Sequence, residues 1–77
     1  MALIKSLEEK RRDRQSIHHA INATYSVFER DGRKFVQVDT RGRAERENPE
    51  KVSQSLQFDE KSARELFDIL KEAFRFR

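Results

Sequence analysis

Two phenylalanines, Phe28 and Phe35, flank an Asp31-Gly32 pair, and Arg30, Arg33 and Lys34 lie between them. Aromatic rings interleaved with cations suit single-stranded nucleic acid: bases stack on aromatic faces at about 1–3 kcal/mol each, and cations neutralise phosphates. Gln37 adds hydrogen bonding without charge, and Lys51 adds a further cation on the same side of the expected sheet. Enzymatic chemistry finds no comparable set. His18 and His19 are adjacent on a strand-like segment and face opposite ways, so they cannot chelate one metal together. Glu45, Glu47 and Glu50 alternate with Arg41, Arg43 and Arg46 in a connection, which reads as a solvated, self-neutralising stretch. There is no Gly-rich phosphate loop, no HExxH and no recognisable nucleophile context. The expectation is a protein without catalytic residues, metal or cofactor.

The chain that must position these residues is short. Seventy-seven residues with 40% charged side chains and a net charge of +3 leave room for one small core. Leu, Ile, Val and Phe make up 19 of the 77 residues, above the level of about 20% below which chains stay unfolded. Cysteine is absent, so disulfides and thiolate metal sites are excluded, in keeping with a reducing compartment. No apolar run approaches the roughly 18 residues that span a bilayer, and residues 1–16 lack the apolar stretch of a signal peptide. A cytoplasmic domain spanning 1–77 is expected, with neither membrane nor small-molecule substrate as partner. The charge is polarised: residues 10–14 and 30–43 each carry +3, and residues 44–60 carry −3.

Periodicity supplies the elements. Leu3, Ile4 and Leu7 at helical spacing predict a short N-terminal helix over 2–14, within a peripheral segment 1–15. Residues 17–29 alternate with period two and predict a long strand, with Ile17, His19, Ile21, Ala23, Tyr25 and Val27 on one face. Asp31-Gly32 is a strong hairpin signal. A two-residue turn there pairs Arg30 with Arg33, Glu29 with Lys34, Phe28 with Phe35, Val27 with Val36 and Tyr25 with Val38. That register puts the phenylalanines side by side on the polar outer face. Residues 40–50 form a connection, 51–58 a further strand, and about 60–74 an amphipathic helix capped by Asp59. Its stripe of Ala63, Leu66, Phe67, Leu70, Ala73 and Phe74 fits as a lid over the sheet's apolar face, Val27, Val36, Val38 and Leu56. The fold class is therefore α+β: a small antiparallel sheet of three or four strands backed by a C-terminal helix, with 17–77 as sheet plus helix. Residues 17–22 lack a partner within the hairpin, and an open edge bearing Ile17 and Ile21 argues for a homodimer.

The stretches GRKFVQVDTRG (32–42) and VSQSLQFDEKSARELFDIL (52–70) carry a resemblance to the PC4-type transcriptional coactivators. It covers about 30 of 77 positions and is one of pattern: a hairpin, a further strand and a helix that starts directly after it. The resemblance implies a curved sheet that binds single-stranded DNA, a dimer, and a role in transcription or DNA metabolism. Three strands are read here where that family has four. Two competing readings remain open. The N-terminal helix could cover Phe28 and Phe35 with Leu3, Ile4 and Leu7, or the chain could be a protein-interaction module, a regulator or inhibitor using the 40–50 loop and the charged helices.

Overall fold

A computed structural model describes residues 1–41 and 52–77. The elements are β1 (Ala2–Ile4), β2 (Ala23–Arg30), β3 (Arg33–Arg41), β4 (Val52–Phe58) and α1 (Glu60–Phe74). The strands form one sheet in the order β1-β4-β3-β2, antiparallel except for the parallel β1–β4 edge.

The hairpin β2–β3 has the register expected from the turn, with Phe28 opposite Phe35 and Val27 opposite Val36. Asp31 and Gly32 both adopt positive φ, 56° and 75°. Two left-handed residues give a turn whose twist matches that of the strands, and Asp-Gly is the pair that tolerates them best.

Two expectations are corrected at the N-terminus. Residues 2–14 form no helix; Leu3 and Ile4 instead belong to β1, paired with Gln57 and Phe58. A helix of about a dozen residues is marginal alone, and here Lys10, Arg11, Arg12 and Arg14 would repel each other along it. The open edge of β4 offers backbone hydrogen bonds to the same residues, and the edge wins. The long strand over 17–29 also shortens, because β2 begins at Ala23, opposite Thr40. Beyond the Asn22 carbonyl, which accepts from the Arg41 N–H at 2.9 Å, residues 17–21 belong to no strand pairing among the described residues. Ile17 is fully exposed.

The helix is the element whose residues specify it most completely. Asp59 accepts from the Ser62 N–H at 3.0 Å, and the Ser62 hydroxyl accepts from the Asp59 N–H at 3.1 Å, closing a capping box. The Ser62 bonds and the Arg33 charge hold the Asp59 carboxyl below its ordinary value of 3.8. A carboxylate with a depressed folded value adds stability that is full above the unfolded value and is lost as pH falls through the folded one. The urea midpoint is thus expected to hold from neutrality to about pH 4 and to drop in more acid solution. Asp59→Ala should lower the midpoint at pH 7 and shrink the acid loss.

The helix does not act as a lid. Alternation places Ala2, Ile4, Tyr25, Val27, Val36, Val38, Leu56 and Phe58 on one sheet face, where the register aligns them in two rows across all four strands. Yet Tyr25 is 77% and Val27 56% exposed, while on α1 Phe67 is 52% and Leu70 39% exposed. Asp59, in extended conformation, is the single residue joining β4 to α1, too little chain to swing the helix back across the sheet. α1 instead leans on β3 and β4 near its start, where Val36, Phe58 and Ala63 line a crevice. Its flank is met by the N-terminal segment, as the Leu7 N–H donates to Glu65 at 2.9 Å. Among the described residues no apolar side chain is buried.

Candidate functional site

The opposite sheet face is mostly polar, with its apolar side chains gathered at one place. Phe28 and Phe35 stack with ring centroids 5.3 Å apart and planes 22° from parallel, held by directly opposed positions on β2 and β3. Beside them lies a hollow of about 450 Å³ lined by Leu3, Phe28, Arg30, Phe35, Gln37 and Gln57. It crosses the sheet from β1 to β2, so all four strands contribute. Its walls combine apolar side chains with a few polar groups, the mixture that ligand sites use.

Four of the seven sequence candidates meet here: Phe28, Arg30, Phe35 and Gln37. Arg33 is drawn partly elsewhere. Its guanidinium sits 5.0 Å over the Phe35 ring and 3.2 Å from an Asp59 carboxylate oxygen, so part of its charge is already answered. The pair is partly exposed, which makes it weak as a source of stability, but it ties the hairpin end to the start of α1. Lys34 alternates onto the apolar face and borders the crevice near Phe58 rather than the hollow. Lys51 lies outside the described residues, as do Arg43, Glu45, Arg46, Glu47, Glu50 and most of the 40–50 connection.

The sequence offers Leu3 only as part of a helix covering the phenylalanines, and β1 is missed because a helix is expected there. As β1, Leu3 joins the hollow from the sheet edge and stays about half exposed, so it lines the phenylalanine pair without sealing it. The competing reading, in which an N-terminal helix covers Phe28 and Phe35, falls with that helix.

Next to the hollow runs a hydrogen-bonded polar row. Gln57 Nε2 donates to Gln37 Oε1 at 2.9 Å, and Gln37 Nε2 donates to Asp39 Oδ1 at 2.9 Å. The Ser55 hydroxyl donates to the same Asp39 oxygen at 2.6 Å. Gln37 faces Gln57 and Asp39 faces Ser55 across β3 and β4, so the row is a direct product of register. The Ser55 and Gln37 bonds hold the Asp39 carboxyl below its ordinary value, and desolvation opposes them only in part. Alternation along β3 and β4 puts Gln57, Ser55 and Asp39 on this face; the bonds between them are not legible from spacing.

At the C-terminus, Phe74 and Phe76 stack at 5.5 Å because Arg75, in left-handed conformation with φ of 58°, reverses the chain. His18 and His19 join no metal-binding group, and among the described residues no cluster of three metal-ligating side chains occurs. No helix among the described residues is long and apolar enough to cross a membrane. No protein-family model, curated protein or solved structure matches this chain.

Proposed function

We propose that this chain is a non-enzymatic module that binds single-stranded nucleic acid on the polar face of its sheet, as a cytoplasmic homodimer serving transcription or DNA metabolism. The observation that carries the reading is the Phe28–Phe35 stack, an aromatic pair beside an open hollow on the more polar face of the sheet. The opposed rings add about 0.2–1 kcal/mol to the hairpin as a cross-strand pair, and they also offer an unpaired base a stacking surface worth about 1–3 kcal/mol. Arg30 at the rim supplies charge for the phosphates, and Gln37 and Gln57 supply hydrogen bonds to base edges. A duplex hides its base faces, so single strands are the form this arrangement suits. Four strands followed by a helix is also the element count that the PC4-type resemblance implies, although the parallel β1 departs from a wholly antiparallel sheet.

Support for the dimer comes from the other face. On the sheet Tyr25, Val27 and Leu56, and on α1 the stripe of Phe67, Leu70 and Phe74, are exposed in one chain. Below about 80 residues, a core this incomplete needs further burial, and oligomerisation supplies it. Each copy carries both surfaces, so two copies related by a twofold axis can lay helix stripe on sheet face reciprocally. That leaves both polar faces open to the strand. An exposed apolar face also suits a protein-interaction module, and that reading takes over if nucleic acid does not bind. Titration of a labelled single-stranded dodecamer at low salt, with the matching duplex alongside, tests the proposal. Tighter binding of the single strand is the expected result, and no binding of either form overturns it.

A further inference from the structure

The row Asp39–Gln37–Gln57 has a direction, and the direction is imposed from one end. An ionised carboxylate accepts hydrogen bonds and cannot donate them. Gln37 must therefore turn its NH₂ towards Asp39, where Nε2 lies 2.9 Å from Oδ1. Its carbonyl oxygen is left facing Gln57, which in turn must present its own NH₂, again at 2.9 Å. Ser55, 6% exposed, adds a second donor to Asp39 Oδ1 and pins the carboxylate in place. The end of the relay is Gln57 Oε1, which accepts no hydrogen bond from another described residue. Gln57 and Gln37 both line the hollow that holds Phe28 and Phe35.

We infer that Asp39 is a positioning residue that locks an acceptor, Gln57 Oε1, beside the stacking site, so that the site favours bases carrying an exocyclic amino group over those carrying a carbonyl at the same ring position. Adenine and cytosine present an amino donor there; guanine and thymine or uracil present an acceptor oxygen. An amide free to turn over serves both classes alike, because it offers its NH₂ to one and its oxygen to the other. An amide whose polarity is fixed sets acceptor against acceptor at the Oε1 position. The one Nε2–H that Gln37 leaves unused serves a carbonyl base only if that base shifts from the position at which an amino base pairs with Oε1, which costs the carbonyl bases affinity. Because hydrogen bonding holds the Asp39 carboxyl below its ordinary value, the lock persists throughout the neutral and mildly acid range.

This inference rests on the single-strand reading, and the experiment separates their failures. Cytosine and uracil differ at the amino or carbonyl position while keeping one ring size, so dodecamers of deoxycytidine and deoxyuridine, with the ribose pair alongside, serve as probes at neutral pH. The protein should bind cytosine over uracil by about tenfold in whichever sugar series binds more tightly. Asp39→Asn restores an end that can donate as well as accept, and Gln57→Met removes the acceptor while keeping the length of the side chain. Each should bring the two affinities within about twofold while stacking still holds both strands. Asp39→Asn should not weaken overall binding, since it removes a negative charge from the face. Circular dichroism confirms that each variant folds; if Asp39→Asn does not, Gln57→Met decides. Equal binding of cytosine and uracil by the unmodified protein overturns the inference and leaves the single-strand reading standing. A preference that survives in either folded variant also overturns it. Failure of every strand to bind at low salt removes both together.

Discussion

Phe67→Ala is expected to lower the free energy of unfolding by about 3–5 kcal/mol, the cost of truncating a fully buried phenylalanine. In one chain taken alone the ring is 52% exposed, partly shielded by the Arg64 guanidinium 5.3 Å from its centroid. Truncating a ring in that setting loses about half the burial of a core side chain, on the order of 1 kcal/mol. The difference between the two values is the effect expected of the proposed second copy. Unmodified protein should sediment at about twice the chain mass of 9.2 kDa at micromolar concentration. Its unfolding midpoint should rise with concentration, as it does when folding and association are linked, and Phe67→Ala should sediment as single chains. A loss near 1 kcal/mol together with a 9.2 kDa species in both proteins would show that the apolar face is not closed by a second copy.

Phe35→Ala is expected to weaken binding of a single strand by about 1–3 kcal/mol, and Phe28→Ala by a similar amount. Neither should change how affinity depends on salt, because stacking releases few counterions. Arg30→Ala should behave differently. Each phosphate contact on a single strand contributes about 0.7 to the slope of log affinity against log salt, so losing Arg30 should make the slope shallower by about that much. Arg33→Ala should have a smaller effect on the slope, because Asp59 lies 3.2 Å from its guanidinium and already answers part of its charge. Phe35 is half buried, so unfolding curves for each variant show whether lost binding reflects the site or the fold. Equal slopes for Arg30→Ala and the unmodified protein would remove Arg30 from the interface.

The hairpin and the helix were legible in the sequence because their signals are local. Asp31-Gly32 sets a two-residue turn, the turn sets register, and register brings Phe28 against Phe35 without reference to any distant residue. Asp59 caps α1 through residues three positions away. What sequence reasoning got wrong depends on contacts distant along the chain. Leu3 and Ile4 have helical spacing with Leu7, yet their partners are Gln57 and Phe58, more than fifty residues on, and an open strand edge outweighs a weak helical propensity. Residues 17–22 alternate like a strand but lie outside the β2–β3 pairing, since β3 ends opposite the start of β2. The helix stripe is as amphipathic as expected, but spacing within one element cannot say whether its partner lies in the same chain. At the site, alternation placed Gln37, Asp39, Ser55 and Gln57 on one face. The bonds that join them, and the Arg33–Asp59 pair that diverts a candidate cation, depend on β4 and α1 being where they are.

The most direct test of the account is the change in backbone and side-chain amide resonances when a single-stranded dodecamer is added to isotopically labelled protein. The account predicts shifts concentrated at Phe28, Arg30, Phe35, Gln37 and Gln57, including the two glutamine side-chain amides, with Tyr25, Val27, Val38 and Leu56 on the opposite face unmoved. Shifts centred on those four residues, or none at low salt, would contradict it.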